Sequence, residues 1–135
     1  MISSTRKCIL RANALYLGIA SVAASLLLDL RGIVFGTGPV AQVVAAAPYA
    51  AIGFVEAHGL AFILAVLLWN AHPVRYAHLT AGAVMSLLGV CNLVFWPLFT
   101  ATGMTAAGVG LTALHLLFAV AQFVAASGPR ARAAV

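Results

Sequence analysis

"PYAAIGFVEAHGLAFILAVLLWNA", residues 48–71, carries a single formal charge, Glu56, in 24 residues. An α-helix needs about 20 apolar residues to cross the roughly 30 Å hydrocarbon core of a bilayer. Three further runs of the same character lie at about 10–30, 77–99 and 105–126. The whole chain of 135 residues is 64% hydrophobic and 7% charged, against about 25% charged in an ordinary soluble domain. Lipid is therefore the solvent. The expectation is an all-α integral membrane protein, a four-helix antiparallel bundle forming one transmembrane domain over residues 1–135.

The connections refine this picture. "NAHPVRYAH" (70–78) turns sharply at Pro73, and "TATGMT" (100–105) is equally short, which makes the second, third and fourth spans antiparallel neighbours. "RGIVFGTGPVAQVVAAA" (31–47) is the one long connection. Its "GTGP" breaks the chain and "VAQVVAAA" predicts a short interfacial helix before Pro48 restarts the second span. No internal repeat relates the halves.

Charge placement orients the bundle. Six of the seven cations, Arg6, Lys7, Arg11, Arg75, Arg130 and Arg132, fall on one side of an even number of spans, and Arg31 alone on the other. By the positive-inside rule both termini face the cytoplasm, as in a bacterial inner (plasma) membrane. The net charge of +5 then reports contact with anionic lipid headgroups on that side and not with nucleic acid. "ASVAAS" in the first span resembles a signal-peptidase site, but the apolar run continues through "LLLDL", so the span is read as an uncleaved anchor. Cys8 and Cys91 differ in depth by tens of ångströms at about 1.5 Å per residue, too far for a disulfide.

A carboxylate in such a span costs about 2.5 kcal/mol or more, so Glu56 needs a use or a partner. At 100° per residue, Glu56 shares a face with Gly53, Gly59 and Leu60, while His58 lies roughly 200° away beside Phe54, Phe62 and Trp69. One site using both is disfavoured. Glu56, Asn92 and His115 all fall about 10–15 Å from the outer boundary, and small residues beside Glu56 favour close helix approach. The expectation is that Glu56 is buried and faces His115 or Asn92. The three either lock helix register by hydrogen bonding or form a ligand or proton site. His58 and His115, on different helices at similar depth, are the pair that bis-His haem ligation would use. His72 and His78 flank a turn that water can reach. Asp29 and Arg31 are expected as an interfacial ion pair, with Arg31 also able to guide an anion.

No phosphate-binding Gly-rich loop, hydrolytic triad or Cys/His metal spacing is present, so no catalytic residue, metal site or obligatory cofactor is expected. A quinone or a haem remains open, as does a proton-coupled transporter or channel using Glu56. The aromatic face of the second span suits a homo-oligomer or a partner membrane protein.

Glu56, Gly59 and Leu60 in "EAHGLAFILAVLLW", followed by "HPVRYA", stand after an uncleaved first span and an outer loop with a short apolar segment. In this the chain resembles the DoxX-like membrane proteins. The resemblance implies a four-helix bacterial inner-membrane protein, in some members linked to quinone or sulfur redox chemistry. It carries over Glu56, Gly59 and Leu60 only.

Overall fold

The computed structural model describes residues 3–127, and every regular element among them is helical. Helix α1, Ser3–Ala24, continues without a break into a π-helical segment, Ser25–Val34. Together they form one rod. The wider π turn ends where the Phe35 amide donates to Leu30 O at 3.3 Å. Gly36 and Gly38 then adopt φ of 61° and 87°, left-handed conformations that glycine takes without a Cβ clash. They fold the chain back so that Val40, 3% exposed, packs on Gly32. The following short helix α2, Ala41–Ala46, lies along the π segment.

Helix α3, Ala50–Asn70, ends ahead of Pro73, and α4, Arg75–Val94, begins after the extended Val74. The continuous third span expected over 77–99 is interrupted. Phe95 forms a turn, and a separate short helix, α5, Trp96–Ala101, starts with Pro97 in its first turn. Proline has no amide to donate and its ring crowds the preceding backbone, so the helix stops just before it. Helix α6, Thr105–Ser127, completes the chain.

The closest packing pairs α4 with α6 and α1 with α3, and α1 joins the two pairs by lying against α6. Despite their short link, α3 and α4 have no comparable backbone approach. Their shared contact is the core cluster near the turn, where Ala65 and Leu68 join Ala81 and Met85, with Leu10, Ala14 and Leu17 of α1 and Ala119 of α6. Tyr16 fastens the two pairs together. Its ring stacks on Phe118 at 5.3 Å and meets His115 edge-on at 5.6 Å.

Large apolar side chains cover the outside, among them Leu67 and Leu117, each 62% exposed. In water an apolar surface of that extent aggregates. Four helices are long and apolar enough to cross a membrane, and the protein is a small multi-pass membrane protein. The end carrying Arg6, Lys7, Arg11 and Arg75 is the basic end. The end formed by the 35–49 and 102–104 connections is the loop end.

Candidate functional site

The π segment and α3 bring together two residues that the sequence left apart. Asp29 is buried, 6% exposed, and its Oδ2 lies 2.7 Å from Nδ1 of His58. Asp29 therefore pairs with His58 and not with Arg31, which is exposed. The physical reason is the π winding. Its larger turn alters the angle at which Asp29 leaves the rod, compared with the α-helix assumed from sequence. Carboxylate on Nδ1 fixes the imidazole and leaves Nε2 as its other hydrogen-bonding nitrogen, the arrangement that tunes histidine as a proton donor or acceptor. The other carboxylate oxygen, Oδ1, is buried without a protein hydrogen bond among the described residues.

An apolar groove of about 770 Å³ runs between the first rod and α3. Gly18 and Ala65 form its floor, Trp69 and Asn70 close its basic end, and Leu26, Leu27 and Phe62 line its other end. Those last three residues are within one helical turn of Asp29 or His58 along their own helices. Arg11 lies over the Trp69 ring at 5.1 Å, a cation–π contact that holds the indole at the groove end.

Glu56 does not face His115 or Asn92. It is exposed, and the flanking Gly53 and Gly59 have open space above them. The angular separation of Glu56 from His58 holds, but the inward direction was assigned to the wrong side. His58 faces the π segment, which puts Glu56 on the far side of α3. The small residues expected to seat a neighbouring helix against Glu56 seat none among the described residues.

Asn92 and His115 do meet. The Asn92 amide donates to Nδ1 of His115 at 3.2 Å across the α4–α6 interface. Leu116 covers Gly89 and Phe123 covers Gly82 on the same interface, so tightly that a Cβ on either glycine would lie within 3 Å of a side-chain atom. His58 and His115 occupy different interfaces, the first against Asp29 and the second between Asn92 and Tyr16. They do not form a bis-histidine pair. Among the described residues no group of three or more His, Cys, Asp or Glu side chains is placed to hold a metal ion, and Cys8 and Cys91 are both free.

A second polar pair was not foreseen. His78, expected at a wetted turn, is fully buried, and its Nδ1 lies 2.6 Å from Oε1 of Gln122, also fully buried. Asn13 on α1 is fully buried too. The signal was in the spacing. His78, Met85 and Asn92 recur every seven residues on α4, as do Gly108, His115 and Gln122 on α6. Each set marks one stripe, and the stripes face each other. No protein-family model, curated protein or solved structure matches the chain.

Proposed function

We propose that the protein is a small accessory component of a bacterial inner membrane, with both ends cytoplasmic, that takes up a quinone-type ligand on the α1/α3 face. The observation that carries this reading is the Asp29–His58 dyad, one helical turn along the chain from the groove-lining Leu26, Leu27 and Phe62. An isoprenoid or acyl tail suits the groove. Nδ1 of His58 donates to Asp29, so Nε2 accepts from a quinol hydroxyl when the ring is neutral and donates to a quinone carbonyl when the ring is protonated. Ligand pockets of this kind combine a mostly apolar lining with a few convergent polar groups. The reading agrees with the resemblance to DoxX-like proteins, although it moves the site from Glu56 to Asp29 and His58. Arg31, exposed at the same end, is available to draw in an anionic group.

Trp69 lines the groove and reports its occupancy. In a Trp96→Phe background, a short-tailed benzoquinone should quench Trp69 fluorescence saturably. Asp29→Asn and His58→Leu should weaken that binding at least fivefold. Quenching that rises linearly with quinone, and is indifferent to both substitutions, would show partition into detergent and end the proposal.

A second reading concerns association. An exposed Glu56 in an apolar span favours coverage by a partner membrane helix or a second copy, since an acid facing lipid is costly. The particle size of the detergent-extracted protein should then fall on Glu56→Leu. An unchanged size would remove this reading.

A further inference from the structure

We infer that the interface of α1, α4 and α6 conducts protons between the two ends of the bundle, separately from the ligand site on the α1/α3 face. These three helices carry six polar side chains that are each at most 9% exposed: Arg6, Asn13, His78, Thr112, His115 and Gln122. In an apolar span such groups are costly, and chains of them mark ion and proton routes.

The hydrogen bonds hold the two histidines in opposite tautomers. Gln122 Oε1 is an acceptor, so Nδ1 of His78 donates and the neutral ring keeps its lone pair on Nε2. The Asn92 amide is a donor, so Nδ1 of His115 accepts and the neutral ring carries its proton on Nε2. His115 thus has a proton to give and His78 a lone pair to receive one, at levels separated by the seven-residue His115–Gln122 spacing of α6. Among the described residues, Nε2 of His78 is buried without a hydrogen-bond partner, as are both polar atoms of the Asn13 side chain, Nε2 of Gln122 and Oγ1 of Thr112. Asn13 lies one helical turn from Tyr16, whose ring touches His115. It therefore stands between the two histidines in depth, with a donor and an acceptor available. Buried polar atoms of this kind are the usual hosts of internal water, and water completes the relay.

Only H⁺ moves. It enters from the aqueous phase at the loop end and protonates His115 on Nδ1 as Asn92 releases it. The imidazolium loses its Nε2 proton to water held by Asn13 and thence to Nε2 of His78, which releases the same proton from Nε2 through water to the aqueous phase at the basic end. Water-assisted transfer of the remaining His115 proton from Nδ1 to Nε2 lets Asn92 donate again and resets the relay. The titratable or charged groups in the interface are Arg6, Tyr16, His78 and His115. Neither acid of the described chain lies in it, because Asp29 is held by His58 and Glu56 is exposed.

The full-length protein in liposomes with a trapped pH dye provides the test, with a potassium diffusion potential as the driving force. Proton flux should exceed that of protein-free vesicles several-fold. His78→Gln and His115→Gln keep a hydrogen-bonding side chain but cannot carry a proton on the ring, so each should stay folded by circular dichroism and lose at least four-fifths of the flux. Asn13→Ala, which adds no bulk, should lower it severalfold. Leu117→Ala, at an exposed apolar position of α6, should leave it unchanged. Wild-type flux no greater than that of empty vesicles would overturn the inference, as would full flux in the His78→Gln/His115→Gln double variant.

Discussion

The α4/α6 pair and the α1/α3 pair are built from equally apolar helices, yet they treat their interfaces differently. Along α4 and α6, glycines receive large side chains: Phe123 sits on Gly82, Leu116 on Gly89, and from α5 Phe99 on Gly108. The polar residues pair across it, His78 with Gln122 fully buried and Asn92 with His115 partly so. Along α1 and α3 a Cβ placed on Gly18 would meet Ala65 at an ordinary 3.7 Å, a groove runs beside them, and Asp29 of the π segment meets His58 near the loop end. Lipid gives no hydrophobic reward for helix association, so close packing and polar contacts must supply it. The closed pair uses both. The open pair gives up packing and gains a surface that something else can occupy.

The same substitution at matched residues is the strongest way to break the comparison. Gly82→Leu forces a side chain into Phe123 and should destabilise by about 3 kcal/mol, at the upper end of the overpacking range. Gly59→Leu meets open space and should be neutral, or stabilising by up to about 0.8 kcal/mol through helix propensity. Unfolding in mixed detergent micelles measures both, and equal losses would erase the distinction.

Next in size is the sealed polar pair. His78→Leu alone leaves Gln122 orphaned and should cost about 1–3 kcal/mol. The double variant with Gln122→Leu should recover part of that loss, by about 0.6 kcal/mol if this pair is typical of membrane bundles. Strict additivity would mean the two side chains do not support each other. A corresponding cycle on Asp29 and His58 should show coupling up to about 1.7 kcal/mol, the upper range for membrane hydrogen bonds. It should vanish if Ser25–Val34 is forced into regular α-helix by helix-favouring substitutions on its lipid face. The smallest effect belongs to Glu56→Gln. With no partner inside the chain to lose, it should shift stability of the isolated protein by less than about 0.5 kcal/mol.

The four spans, the short turns and the helix in the long connection were all legible, because length, hydropathy and proline or glycine placement act locally. The site was legible in part. Asn92 and His115 could be matched by depth and face, since α4 and α6 each carry a polar stripe amid glycines. Glu56 could not be placed. Helix α3 is apolar on nearly every side, so its sequence holds no inward direction, and the small residues beside Glu56 suggested one that the packing does not use. The Asp29–His58 contact depended on a π winding, for which "SLLLDLRGIV" carries no recognisable signature. His78 was read from its closeness to a turn, whereas its seven-residue spacing to Met85 and Asn92 was the better guide.

That α1 stands between the two pairs has a consequence for biogenesis. Chains enter the membrane in order of synthesis, and α3 arrives to find α1 already in place, with Asp29 waiting for His58. Helix α4 has no such reception. Its partner is α6, so His78 and Asn92 are delivered to lipid before Gln122 and His115 exist to meet them. For the time needed to make the last thirty or so residues, the nascent protein holds a finished half beside a half that is polar and unpaired. That interval is when an insertase or quality-control protease has the most to recognise, and it closes only when α6 docks.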